Sequence, residues 1–369
     1  MSVYTGDYVR QISSCVLKLT YFTFTPLPLM EGNFYTMDDE LAALLSNTHR
    51  ILGMLEGMAY HFSDKEQFAT CMLLRESYFS KMIDSPEYNT ESLLLELALN
   101  KTDSEIKNLD SAYQSVVTDT CELDYDRIAS HALFGSSTQE KTITRTKQIF
   151  LTDSIANYQR YNPTAPQDIK PALNDISRYI ESNTSDPLIK AAMCHYQFEM
   201  IHPYEHSNGI IGRLLIYHLL RNEGLEGIRY LCISECLHRL EVEYFQKLEQ
   251  TQKNGNYYTW IEFFIHSVSE AAKKGVQLLK QYESIIRSNE EKMDALGNRS
   301  EHLAAVYQYF SGNIVSGIGQ ASQRLNIPFN AVSRAVCTLQ KLGILVQITK
   351  GRRNRLFAHA GMMRLIISQ

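Results

Sequence analysis

Paired cysteines are missing from this chain: its seven cysteines are scattered, odd in number, and form no C-x-x-C motif. This excludes a disulfide framework and fits reduced structural thiols in a reducing compartment. Cys232 and Cys236 stand four apart, but no second pair at metal-ligand spacing accompanies them. Long hydrophobic runs are also missing, since none approaches the ~18 residues that a bilayer span requires. The opening MSVYTGDYVRQISS has no basic leader followed by an apolar stretch, as a signal peptide would. A cytoplasmic protein is expected. Gly and Pro are modest against 44% hydrophobic residues, which excludes a disordered chain.

Acid is scarce at one end. From Gly297 to Gln369 nine Lys/Arg face a single acid, Glu301, so this stretch is +8 and the remainder is −13 of the total −5. Two parts with different partners are the natural inference. At 369 residues the chain is long for one core, and two or three domains are expected.

What is present is mostly helical pattern. Leu41, Leu44, Leu45, Ile51, Leu52 and Leu55 recur at spacings of three and four, one buried stripe. DKEQFATCMLLRESYFSKMI and NTESLLLELAL predict two more helices, with Asp64 and Thr90 as caps. KTITRTKQIFLTD and NYQRYNPTAP, rich in Thr, Ile, Tyr and Phe, predict a short hairpin around Ile149–Tyr161. Helices return in QDIKPALNDISRYIES, PLIKAAMCHYQFEMI and GIIGRLLIYHLLRNEG, the last ended by Gly224. HRLEVEYFQKLEQTQKNG and a long segment from Tyr258 to Ile286 predict further helices, and NEEKMDALGNRS predicts a linker.

Between two apolar helices lies His202-Pro203-Tyr204-Glu205-His206-Ser207-Asn208-Gly209-Ile210-Ile211-Gly212-Arg213. This polar loop feeds directly into a helix start, where unpaired N–H groups and the helix dipole favour an anion. A histidine at the loop entry can act as a general base, and an arginine one turn into the helix can face a phosphate. A plain corner in which His202 caps a helix end fits the same residues. A zinc pair of His202 and His206 is not expected, because Pro203 and Ser207-Asn208-Gly209 break the helix that i, i+4 spacing would need.

HYQFEMIHPYEHSNGIIGRLLI resembles the signature of the Fic family, HPFx(D/E)GNGRxxR. FTPLPL, LLRESYFSKMIDS, NTESLLLEL and NYYTWIEFF follow the order of that family's other segments, so the resemblance extends over most of the chain. It implies a mainly α fold: a Fic-type helical core with a β-hairpin flap, an N-terminal helical region and a C-terminal winged helix. The implied spans are 1–115, 116–290 and 298–369. It implies transfer of AMP from ATP to a hydroxyl of a target protein, and self-association as a homodimer. His202 would be the base, while Ser207, Asn208, Gly209, Gly212 and Arg213 would hold the phosphates.

This chain departs from the signature at three chemical positions. His206 replaces the acid that holds a divalent metal, and imidazole is a poor ligand for magnesium. Ser207 replaces a glycine where backbone approaches phosphate. Ile210 replaces an arginine near the α/β-phosphates. Losing one such group typically costs ~3 kcal/mol of transition-state stabilisation. Weakened or altered transfer is therefore expected, and the alternative is an inactive nucleotide-binding or DNA-binding regulator.

The resemblance also implies a built-in brake, an acid on an N-terminal helix that pairs with the last arginine of the signature. The corresponding stretch is Ser80-Lys81-Met82-Ile83-Asp84-Ser85, and it predicts an Asp84–Arg213 pair beside Ser80; a plain helix end at Asp84-Ser85-Pro86 fits it too. The hairpin corresponds to a flap that aligns a target segment by strand addition. Tyr244 and Trp260 to Phe264 are expected to be core. In the basic tail, three helices and a hairpin resemble a winged helix, with Arg334 and Lys341 on its third helix and Arg352, Arg353 and Arg355 at the wing tip. Such cations fit duplex DNA.

Overall fold

The computed structural model describes residues 6–12, 20–32, 34–98, 104–118, 122–136, 144–153, 158–182, 184–297, 301–351 and 354–368. It is mainly helical, with three small antiparallel sheets. No described helix is long and apolar enough to cross a membrane.

Two helices hold the centre. α7 (Pro187–Ile201) is buried at every residue from Leu188 to Ile201, which explains why its sequence is apolar all round rather than striped. Asp186 caps its start by accepting from the Leu188 amide at 2.9 Å, and Pro187 fits the first turn. α8 (Asn208–Asn222) packs against it and is almost as buried. Around this pair lie α1 (Asp39–Tyr60), α2 (Lys65–Asp84), α3 (Thr90–Ala98), α4 (Glu105–Thr118), α5 (Tyr125–Phe134) and α6 (Pro166–Ser182). α9 (Ile233–Arg239), α10 (Glu241–Asn254) and the 38-residue α11 (Tyr257–Asp294) complete the shell. Trp260 is fully buried and its indole donates to the Ala192 carbonyl at 2.9 Å; Tyr244 is equally buried, so both belong to the core.

The N-terminal region is not all helical. β1 (Gly6–Ile12) and β2 (Thr20–Pro26) pair antiparallel, with Gly6 opposite Pro26 and Ile12 opposite Thr20. The alternating Thr/Tyr/Phe of TYFTFTP carries this strand signal. The expected flap is present but shorter, as β3 (Leu151–Asp153) and β4 (Tyr158–Tyr161). β2 abuts its exit: the Phe24 amide donates to the Asn162 carbonyl at 2.8 Å.

Four local expectations need correction. Asp64 stands at the start of α2 but its side chain makes no capping bond. Asn89, not Thr90, caps α3, accepting from the Glu91 and Ser92 amides at 2.9 and 3.2 Å. The segment read as one helix from His238 breaks at Leu240 into α9 and α10. α11 runs through the expected linker start to Asp294.

At the C-terminal end α12 (Glu301–Gly312), β5 (Val315–Gly317), α13 (Ile318–Leu325), α14 (Phe329–Lys341), β6 (Leu345–Gln347) and β7 (Leu356–His359) enclose their own small core. The sheet order is β5-β7-β6. α15 (Ala360–Ile367) then returns, burying Met362, Met363, Leu365 and Ile366 in the main core.

Candidate functional site

The loop between α7 and α8 is shaped by four residues that spend their polar groups on it. His202 ends α7 in the left-handed region (φ 52°), with its N–H on the Phe198 carbonyl at 2.9 Å. The helix-cap role is therefore real. Buried Arg145 sits against the end of α7, donating to the carbonyls of His202 at 2.8 Å, Ile201 at 3.3 Å, Lys147 and Thr164. A cation on the last carbonyls also suits the helix dipole. Buried Asn208 closes the turn on Tyr204: its Oδ1 accepts from the Tyr204 amide and its Nδ2 donates to the Tyr204 carbonyl, both at 2.8 Å. Its side chain thus fixes the loop and leaves only its backbone toward a ligand.

Ser207 holds the αL conformation (φ 62°) that a glycine would adopt freely, at a cost of roughly 1 kcal/mol. It makes no side-chain cap at the start of α8, so the first-turn amides keep their anion-attracting character.

His202 is held in one tautomer. Its Nδ1 lies 3.2 Å from the Glu199 carbonyl. A carbonyl only accepts, so Nδ1 carries the proton and Nε2 keeps its lone pair. Burial lowers the imidazole pKa to about 4, which keeps the ring neutral near pH 7. With Leu151, Tyr161, Glu199, Phe245 and Glu249 it lines a cavity of about 150 Å³.

Arg213 is almost wholly buried and fully engaged. It donates to the Ser80 hydroxyl at 2.9 Å, the Ser80 carbonyl at 2.8 Å and Asp84 Oδ1 at 2.6 Å. Burial opposes its charge, but Asp84 together with Tyr244 and Tyr113 more than compensates and its pKa rises. Asp84 also crowds the first turn of α8: a Cβ on Gly209 would lie 2.7 Å from its Oδ1. The carboxylate of α2 thus occupies the place suited to an anion.

His202, Ser207, Asn208, Gly209, Gly212, Arg213, Ser80 and Asp84 are gathered at one locus. Arg334, Lys341 and Arg355 lie apart in the C-terminal unit, the first two exposed; Arg352 and Arg353 lie outside the described residues. His206 stands where the signature has an acid, and imidazole is a poor ligand for magnesium. His206 and Glu205 are exposed, and among the described residues no three His, Cys, Asp or Glu cluster as a metal site.

Sequence reasoning missed Arg145 and Glu199. Glu199 is buried on α7 with Oε1 lacking a hydrogen-bond partner, and burial raises its pKa to about 7. Gly212 gives it room, since a Cβ there would lie 2.6 Å from Oε1. A carboxylate within the apolar run of α7, three residues before His202, was the available signal. Arg145 had none, because its partners come from three separate segments.

The Fic/DOC family model matches residues 124–220. The protein adenylyltransferase fic-1 of Caenorhabditis elegans is 31% identical over 68 residues, 18% of this chain and 13% of that protein, so the match spans a small part of that relative's length. A solved Fic family protein from Desulfovibrio desulfuricans superposes with a TM-score of 0.56 at 15% identity, over 89% of this chain and 98% of that one. A Fic domain containing signaling protein from Bacteroides thetaiotaomicron gives 0.48 at 17% identity, over 64% and 94%. The loop and both of its helices, up to Leu220, therefore lie within residues 124–220, the stretch that matches the Fic/DOC family.

Proposed function

We propose that this chain binds ATP at the first turn of α8 and transfers AMP to a hydroxyl side chain of a target protein, at a rate held down by Asp84 and by the three departures in the loop. The observation that carries this is the Asp84 carboxylate on Arg213 beside Gly209, a negative group already held where a phosphate would bind. In the reaction the target hydroxyl oxygen attacks the α-phosphorus, His202 Nε2 takes the hydroxyl proton, and the bond to the β-phosphate oxygen breaks to release pyrophosphate. The fixed tautomer and neutral ring of His202 support that role. The name of the Caenorhabditis elegans relative supports the same class of transfer. Ile210 supplies no cation and His206 no hard ligand, so ATP affinity is weak and gains little from magnesium.

The test is incubation with ATP labelled on its α-phosphate, Mg²⁺ and a cell lysate, comparing wild type, Asp84→Gly and Asp84→Gly/His202→Ala. Label on protein is expected to rise in Asp84→Gly and vanish without His202. No label in Asp84→Gly would refute the transferase and leave a binding protein.

A second function rests on the C-terminal unit. The element order α12-β5-α13-α14-β6-β7 supports a winged-helix reading, α14 exposes Arg334 and Lys341, and the whole stretch is strongly basic. We propose that it binds duplex DNA through these cations. A gel shift whose affinity falls steeply with salt supports this, by about 0.9 in the log–log slope per phosphate contacted; affinity indifferent to salt or to Arg334→Ala refutes it.

A further inference from the structure

α2 makes two clamps on successive turns. Its Ser80 and Asp84 hold Arg213. Five residues earlier, fully buried Arg75 reaches the opposite way and donates to the carbonyls of Leu365, Ile366 (2.9 Å) and Ser368 at the end of α15. These carbonyls have no partner within their own helix, and the guanidinium also suits the negative end of its dipole. Arg75 is fixed in turn by a two-toothed ion pair with Glu235 of α9, at 2.6 and 3.0 Å.

The two clamps are joined by buried polar groups. Next to Glu235, the Ser234 amide donates to Glu76 at 2.9 Å, and its hydroxyl donates to the same carboxylate. The Tyr113 hydroxyl is shared between Glu76 at 3.3 Å and Ser80 Oγ at 3.5 Å, and Ser80 Oγ accepts from Arg213. An unbroken chain thus runs from the α15 carbonyls through Arg75, Glu235, Ser234, Glu76, Tyr113 and Ser80 to Arg213. α15 follows without a break from β7, the central strand of the C-terminal sheet, and buried His359 at the junction accepts from the Met362 amide. A displacement of the C-terminal unit therefore pulls on α15 and so on Arg75. Fully satisfied buried networks have few alternative arrangements, so a change at one end is felt at the other.

We propose that α2 couples the C-terminal unit to the anion site: the seating of α15 on Arg75 sets how firmly Asp84 fills the place beside Gly209. What the unit binds is then an effector of the site, and by linkage, release of Asp84 loosens α15. The nucleotide half of this rests on the ATP site proposed above; the coupling of Asp84 to α15 does not.

The experiment is a cycle of four full-length proteins, wild type, Arg75→Met, Asp84→Gly and the double variant, titrated with MgATP by calorimetry. Arg75→Met is expected to tighten binding about fivefold or more in the presence of Asp84, and to have almost no effect in Asp84→Gly. Equal effects in both backgrounds, or none beside Asp84, overturn the coupling. Hydrogen exchange provides the second measurement, needs no nucleotide and no Arg75 variant, and compares amides 361–367 in wild type and Asp84→Gly. Faster exchange in Asp84→Gly supports the coupling, and unchanged rates overturn it. Failure of Asp84→Gly to bind MgATP removes the nucleotide site alone, and the exchange rates still decide the coupling.

Discussion

Asp84 Oδ1 and Arg213 Nη2 meet at 2.6 Å, although 129 residues separate them in the chain. The arginine side chain is 2% exposed and the aspartate 23%, so the pair is poorly screened and its guanidinium is not available to another anion. Asp84→Gly is expected to raise ATP affinity about tenfold or more, since it removes both the competing charge and the atoms beside Gly209. Calorimetry with wild type and variant checks it, and equal affinities reject Asp84 as a plug.

Ser207 is a place where the sequence carries a local cost. Replacing it with glycine removes the left-handed penalty of roughly 1 kcal/mol, offset in part by the entropy of a glycine in the unfolded chain. Ser207→Gly should therefore raise the melting temperature slightly. A fall in stability would mean that the hydroxyl has a role the geometry does not reveal.

Arg145 should matter more than its place in a short connecting segment suggests. Arg145→Met leaves the carbonyls of Ile201, His202 and Thr164 short of a donor in a buried setting. A loss of about 2–4 kcal/mol is expected from such unsatisfied groups. Denaturant unfolding measures it, and a loss below about 1 kcal/mol would show that the loop holds its shape without the cation.

Glu199 predicts a pH effect. Its folded pKa, about 7, lies above the usual carboxylate value because burial penalises the charge. Between about pH 4.5 and 7 the unfolded chain holds fewer protons at this site than the folded one, so stability from Glu199 is complete below that window and lost as pH rises through it. Glu199→Gln should abolish this slope and be the more stable protein at pH 8, by on the order of 1–3 kcal/mol. Melting curves from pH 5 to 8 check it; parallel profiles would place the carboxylate in water.

Part of the architecture was legible because its signals are local. The apolar run of α7, the polar loop and the glycine after α8 all report conformation within a few residues of themselves. The pairing of Ser80 and Asp84 with Arg213 could be anticipated only from the resemblance to the Fic family. The β1–β2 hairpin was not expected because β1, GDYVRQI, is exposed at most positions and does not alternate, which left the alternating β2 without a visible partner. Asn89 displaced Thr90 as a cap because both residue types cap helices, and only the backbone decides which of two neighbours is the last one outside the helix.

By itself the sequence determined that the chain is helical, that residues 202–213 form a polar turn into a helix, and that three of its chemical groups differ from the signature. The first two follow from residue type and spacing alone, the third from the resemblance to the Fic family. Tertiary structure decided that Asp84 pairs with Arg213 beside Gly209, that Arg145 and Glu199 flank His202, and that Arg75 ties α15 to the helix bearing Asp84. Each depends on side chains far apart in sequence whose meeting is set by packing around α7 and α8, and no local pattern encodes a distance across a core.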